Sequence, residues 1–251
     1  MIEIREINPG NIADFYVGCI PPENEYLRAG RESGTWFIER AGRGSGGFVA
    51  YEDGNPVGRV EFHRLEESFT AVSGDDLYFM PCINVLAEAQ RKGCGRTLME
   101  KVLEATAGKK GLVTVTAEGW MPREFFLKMG FEIAQQMGPI YLLLKKHQSD
   151  AQCAWMRPVF SARDEPDKVN VEVVMSHQCP HMAANYRRLM AKAGELSEEV
   201  EVTDHVLSDR ESLHKYGEMN FYIDGEAPFF GPGSEENLER IIKGRLEKKG
   251  L

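Results

Sequence analysis

Gln90-Arg91-Lys92-Gly93-Cys94-Gly95-Arg96 sets two glycines one residue apart among three cations, just where a helical pattern begins. At a helix N-terminus several backbone N–H groups lack intrahelical partners and point outward together. The helix dipole adds partial positive charge there, and glycines let an anion approach the backbone closely. A diphosphate is the natural guest of such a turn. The stretch is not a GxxxxGK[ST] loop, and Leu98 stands where GxGxxG would need its third glycine. Taken alone, it reads equally well as a solvated basic turn.

Other residues could carry chemistry. Glu61 and His63 sit two apart on a strand pattern and are candidate general bases, with exposed strand positions as the plainer reading. Asp75 and Asp76 lie too close to a loop to rank. Cys94 lies beside the helix N-terminus but reads as a tolerated small residue. His177, Cys179 and His181 form HxCxH, but the chain turns into a helix at Pro180, which breaks the alignment a metal would need. No metal site is expected. A helix N-terminus and His181 would favour a thiolate at Cys179, which makes it a redox candidate. The five cysteines are scattered and contain no CxxC pair, so neither a disulfide framework nor a zinc finger is expected.

The elements that must position these residues follow from periodicity. Ile2–Ile7 alternates as a short strand, and a polar, partly helical region runs from Asn11 to Gly42. Gly47–Tyr51 and Pro56–His63 alternate around an Asp-Gly turn and predict a hairpin. Leu77–Leu86 is extended, with Pro81 predicting a bulge or a local break. Thr97–Ala107 predicts a helix with Leu98, Met99, Val102, Leu103 and Thr106 on one face. A strand over Leu112–Ala117, a helix over Pro122–Met129 and two strands within Phe131–Lys146 complete the first half. Periodicity is lost over 147–168 and restarts at Val169. There βαβαββα is expected, with Ala227–Phe230 as the partner of a strand over Asn220–Asp224. The expected organisation is therefore a domain over 1–146, a linker over 147–168 and a small domain over 169–251.

Composition narrows the classes. The chain has 251 residues, 42% of them hydrophobic, and a net charge of −9, so no nucleic-acid partner is expected. No run approaches the roughly 18 apolar residues of a membrane span, and MIEIREI lacks the apolar core of a signal peptide. A cytoplasmic protein without a membrane partner is expected; the oligomeric state is not indicated.

The glycine motif and its surroundings resemble the GNAT superfamily of acyl-CoA-dependent N-acyltransferases. Gln90 to Gly95 fits the Q/R-x-x-G-x-G/A signature. Val85-Leu86-Ala87-Glu88-Ala89-Gln90 falls at the V-x-P-x-x-R strand end, with Ala87 in place of proline, and Phe125–Phe131 is similar to Y-x-K-x-G-F. The resemblance implies an α/β (α+β) GNAT fold, acetyl-CoA as the donor, and direct transfer of its acetyl group to an amine of a small molecule or a protein. It also implies that backbone groups of Ile83, Asn84 and Val85 pair with the pantetheine arm. Gln90, Arg91, Lys92, Gly93, Cys94, Gly95 and Arg96 would hold the pyrophosphate, and Lys128 would lie near the adenosine end. Phe126 occupies the position of the tyrosine that often protonates the leaving thiolate, so a non-catalytic acyl-CoA sensor is the alternative. Tyr78 and Tyr141 are the strand tyrosines that could approach instead.

The second half is similar to thioredoxin-like folds, and in particular to the YoaP-like domain found fused to GNAT domains. Cys179-Pro180-His181-Met182 keeps only the first cysteine of C-x-x-C, and Gly217-Glu218-Met219 lacks the proline that usually precedes the third strand. Both departures argue against an ordinary dithiol oxidoreductase and leave a docking fold or a monothiol role.

Overall fold

The computed structural model describes residues 2–157, 159–229 and 231–251. Contacts divide the chain into two units: Met1–Ile20 with Gly34–Met156, and Pro21–Ser33 with Arg157–Leu251.

The first unit is built on strands β1 (Ile2–Glu6), β2 (Ser45–Glu52), β3 (Asn55–Arg64), β5 (Leu77–Val85), β6 (Gly111–Ala117), β7 (Glu132–Met137) and β8 (Ile140–Lys146). Their sheet order is β1-β2-β3-β5-β6-β8-β7. Helix α1 (Ile12–Phe15), the second half of α2 (Asn24–Ala41), α3 (Cys94–Thr106) and α4 (Arg123–Lys128) accompany this sheet. The β2–β3 hairpin closes through Asp53 and Gly54, both at positive φ as the Asp-Gly turn requires. Helix α3 buries Leu98, Met99, Val102 and Thr106. With Phe126 and Phe131 the first three join strand residues Val60, Met80, Leu112 and Leu143 in one apolar cluster.

All neighbours in the sheet run antiparallel except β5 and β6. Those two pair only from Leu77–Gly111 to Met80–Thr114. Beyond this point β5 stays paired with β3 to Val85, and β6 stays paired with β8 to Ala117. The sheet therefore opens between two strands that are each held from the other side. Pro81 is the cause: it has no N–H to give β6, and Met80-Pro81 together oppose Phe62 of β3 in a bulge.

Two short strands fall where no periodicity was expected. β4 (Val72–Gly74) pairs with β9 (Cys153–Trp155), and the Met156 N–H donates to the Ala71 carbonyl at 2.7 Å. This unit thus runs ten residues beyond the expected boundary at 146, into the stretch expected to be linker. Trp155 packs against Leu77, Phe79, Val113 and their neighbours in a second apolar cluster.

The second unit contains strands β10 (Val169–Met175), β11 (Val200–Val206) and β12 (Asn220–Ile223), in the order β11-β10-β12, with β10–β11 parallel. Helices α5 (Pro180–Gly194), α6 (Arg210–Tyr216) and α7 (Glu235–Lys249) alternate with them. Ala227–Phe229 carries no strand; a single bridge joins Ile223 and Glu226, and Phe230 lies outside the described residues. Phe160 packs among His205, Tyr216 and Tyr222. Pro21–Ser33, expected within the first domain, belongs here. Among the described residues no helix is long and apolar enough to cross a membrane.

Candidate functional site

The opening between β5 and β6 leads to the glycine turn. Leu86 N–H donates to the Val57 carbonyl at 2.9 Å. Antiparallel bonding alternates, so Leu86, Asn84 and Cys82 direct their backbone groups toward β3, while those of Ile83 and Val85 face the opening. This corrects the expectation for Asn84. Its carbonyl lies 3.0 Å from where a Cβ on Gly58 would stand, which places it on the β3 side. Its side-chain amide donates to the Val17 carbonyl instead. Ile83 and Val85 remain, although the Val85 carbonyl already accepts a 3.0 Å bond from Gln90 Nε2.

The turn then delivers α3 with its first amides free of side-chain caps. Gly93, the N-cap, sits at φ 89°, a left-handed conformation that glycine adopts without the Cβ penalty. The first helical bond is Thr97 N–H to the Gly93 carbonyl, and no acidic residue occupies the first turn. The amides of Cys94, Gly95 and Arg96 thus point out with no carboxylate competing for them. Arg91 is held at φ 63°, a strained value for a non-glycine residue. Arg91 and Arg96 are exposed, whereas both carboxylate oxygens of Glu52 hold Lys92 Nζ at 2.9 Å. A Cβ on Gly93 would have open space around it, and one on Gly95 would lie 3.7 Å from the Phe125 ring. Helix α4 therefore abuts the turn. Lys128 is exposed further along α4.

Cys94 contributes backbone only. Its thiol is buried in the apolar cluster, and burial, aided by Glu52, raises its pKa. Phe126 is fully buried against Phe125 and Phe131.

Glu61 and His63 are not exposed strand residues. They face the side of β3 covered by α1 and α2, and both are buried with Arg59 and Ser45. Arg59 Nη1 donates to Glu61 Oε2 at 3.0 Å, Glu61 Oε1 meets His63 Nε2 at 2.7 Å, and His63 Nδ1 meets Ser45 Oγ at 2.6 Å. An ionised carboxylate only accepts, so the His63 Nε2 carries the proton. At its other end Arg59 gives two N–H groups to Cys19 Sγ, each at 3.3 Å. Burial opposes ionisation of Glu61, but the hydrogen bond from His63 and the neighbouring Arg59 charge hold its carboxyl below the usual range. A carboxylate with a depressed pKa and both oxygens engaged is a poor proton acceptor. Tyr78 packs edge-on against Phe62, and Tyr141 lies beneath the Arg123 guanidinium at 4.4 Å.

In the second unit Cys179 is the N-cap of α5 and is half-buried, and Pro180 takes the first helical position. His181 lies beside the Tyr26 ring at 5.4 Å, and His177 Nδ1 is 3.7 Å from Glu32, which Arg187 holds at 2.6 Å. Ser176 Oγ–H donates to Met219 Sδ at 3.1 Å, so a thioether stands where the expected proline is missing. Among the described residues no three His, Cys, Asp or Glu side chains converge to hold a metal ion.

Comparison with known proteins gives two matches in sequence. Residues 43–133 match the model of the acetyltransferase (GNAT) domain. Over 83 residues the chain is 34% identical to a thioredoxin of Methanocaldococcus jannaschii, spanning 32% of this chain and 98% of that protein. Among solved structures, a protein assigned to the GNAT family of acetyltransferases from Desulfovibrio desulfuricans is 18% identical over 59% of this chain and 99% of its own, with a TM-score of 0.47. The PaiA N-acetyltransferase of Thermoplasma acidophilum, in complex with coenzyme A, is 17% identical over 58% and 99%, with a TM-score of 0.43. A GNAT acetyltransferase of Brucella melitensis with acetyl-CoA is 19% identical over 62% and 96%, also at 0.43.

Proposed function

We propose that this chain, which carries an acetyltransferase (GNAT) domain over residues 43–133 and belongs to the thioredoxin family over 83 residues, transfers an acetyl group from acetyl-CoA directly to an amine. The observation that carries this reading is the uncapped first turn of α3, free of acidic residues, at the end of a strand that has parted from its neighbour. Bound there, acetyl-CoA would supply an activated thioester. The amides of Cys94, Gly95 and Arg96, with the Arg91 and Arg96 side chains, would hold its pyrophosphate, and Lys128 would lie toward the adenosine. Ile83 and Val85 would pair with the pantetheine arm, and the Ile83 N–H would polarise the thioester carbonyl.

Arg59, Glu61, His63 and Ser45 act as positioning residues: they tie β2 and β3 together and hold the loop carrying Cys19. The amine acceptor, a small molecule or a protein side chain, would give up its proton to solvent. In this reading the second unit, similar to the YoaP-like thioredoxin fold, serves for docking rather than dithiol exchange. The protein works in the cytoplasm.

The test is calorimetry with acetyl-CoA followed by thiol release across an amine panel. Micromolar binding with turnover is expected; no binding at millimolar ligand would sink the reading. One observation favours a second reading, an acyl-CoA sensor without turnover: the fully buried Phe126 has no proton for a thiolate. Binding without thiol release from any amine would select it. A thiol role at Cys179 is the remaining reading, and a thiol pKa of about 8.5 or above at that residue would count against it.

A further inference from the structure

Phe126 leaves the departing thiolate without its usual partner, and two other groups lie close to where that partner would act. Along α4, Arg123 precedes Phe126 by three residues and so shares its face of the helix. Its guanidinium lies 4.4 Å above the Tyr141 ring. Tyr141 is the cross-strand partner of Thr116 on β6, and paired residues project to the same side of a sheet. Arg123 and Thr116 are thus brought to one ring from two elements.

Both carry an unused donor. Thr116 is fully buried, and its hydroxyl has no hydrogen-bond partner among the described residues. Arg123 Nε is equally sealed and has no partner among the described residues, although Nη2 of the same side chain donates to Glu124 at 2.9 Å and the side chain also hydrogen-bonds Tyr141. The contrast with Thr114, two residues earlier on the same face, is informative. There the strands still touch, and Thr114 Oγ–H donates to the Met80 carbonyl at 2.8 Å. Where the strands part, the corresponding hydroxyl has lost its acceptor. Buried donors without acceptors are rare and costly, and a ligand is one of the few things that repairs them.

Register sets the level of this pair within the opening. The β5–β6 pairing runs at a constant offset from Leu77–Gly111 to Met80–Thr114; Met80 and Pro81 share one level in the bulge, so two more steps bring Thr116 level with Ile83. That is the closed end of the opening. The glycine turn lies at the other end, beyond Val85. With the pyrophosphate at the turn, the pantetheine arm runs back along Val85 and Ile83, and its sulfur comes to rest at the closed end.

We propose that Thr116 Oγ–H and Arg123 Nε–H together receive the sulfur of acetyl-CoA as it leaves, in place of the tyrosine that Phe126 replaces. The proposal rests on the acetyl-CoA reading above. In the step, the amine nitrogen forms the new C–N bond, the C–S bond breaks, and the electron pair stays on sulfur as a thiolate. Arg123 offsets that charge, Thr116 donates a hydrogen bond to it, and solvent later supplies its proton. Neither residue surrenders a proton, so neither is a general acid; both are catalytic residues because they touch a reacting atom. Thr116 is sealed from water, so sulfur entry requires neighbouring side chains to move.

The decisive measurement needs no turnover. Coenzyme A is bound to the full-length protein, and the thiolate absorbance of the bound thiol is followed against pH. In the wild-type protein the thiol titrates about one unit, or tenfold in thiolate fraction, below its value in Thr116→Val and Arg123→Gln. Thr116→Ser restores the wild-type value, which a merely structural role would not do. If the three thiols titrate alike while coenzyme A binds normally, the proposal is overturned. If coenzyme A does not bind the wild-type protein, the acetyl-CoA reading fails first and takes the proposal with it. Should either variant misfold by circular dichroism, the comparison of wild-type with Thr116→Ser and Arg123→Lys decides in the same way: Thr116→Ser matching wild-type and Arg123→Lys titrating between it and free coenzyme A supports the proposal, and a wild-type thiol titrating like free coenzyme A overturns it.

Discussion

The two units each present a cysteine at a strand–helix junction, and the two junctions use the same physics in opposite ways. At α3 the cysteine points inward: Cys94 is core, and the junction offers backbone amides around left-handed Gly93. At α5 the cysteine is the N-cap itself, and Pro180 removes the first amide from the set. One end exposes backbone amides and the other a thiol. Helices α6 and α7 show the ordinary alternative, with Asp209 and Ser234 side chains accepting from their first turns. Helices α1 and α4 also lack a side-chain cap, so what sets α3 apart is the left-handed Gly93 and a first turn free of acidic residues rather than the open end alone.

The comparison breaks most easily at Gly93. Gly93→Val forces a β-branched residue into φ 89° and sets a side chain over the amides, so acetyl-CoA affinity should fall by about 100-fold or more in calorimetry. Retained affinity would mean that the turn is not the phosphate site. Next comes the buried chain on β3. Were it a second working site, Glu61→Gln would abolish turnover and leave folding intact. The expected loss is instead about 3–5 kcal/mol in urea unfolding, because Arg59 is left buried without its partner. The depressed Glu61 pKa makes this a contribution present above the ordinary carboxylate range. It is lost as pH falls through the lower, folded value, so wild-type and variant stabilities should converge in acid.

Smaller effects separate the cations. Arg96→Ala and Arg91→Ala should each weaken acetyl-CoA about tenfold at low salt and flatten its salt dependence. Lys92→Ala should cost less, since Glu52 already holds that ammonium. For the thiols, a disulfide reagent should label Cys179 at least about tenfold faster than Cys94 or Cys153 in the native protein. Burial and the Glu132 carboxylate push Cys153 up to about 11, and Cys94 is raised as well. The smallest change is expected for Cys179→Ser, whose acetyl-CoA affinity should match wild-type within about twofold. A larger shift would show that the second junction does take part in donor binding.

Most of the frame could be read before any coordinates. The Asp-Gly hairpin, the Pro81 bulge and the α3 stripe each rest on local rules that tertiary packing did not override. Strands β4 and β9 escaped because three residues carry no periodicity, and Cys153–Trp155 lies in a stretch that otherwise has none. Glu61 and His63 were misplaced for a different reason. Alternation says which residues share a face but not whether helices cover it, and here α1 and α2 do. Asn84 failed on bond alternation, which depends on a partner strand. Thr116 and Arg123 gave no signal at all: a hydroxyl on a strand and a cation at a helix start are commonplace until their donors prove unused.

Pro81 bears on how such an opening could arise or be lost. Met80 before it and Ile83 and Val85 after it pack into the same apolar cluster, so the extra residue shifts the strand by one without exchanging its faces. Deleting Pro81 would keep every core contact on its side and let β5 zip to β6 along their whole length. The expected product is an uninterrupted sheet without the opening. The proposed donor site thus hangs on a single residue, and selection for stability alone would not preserve it.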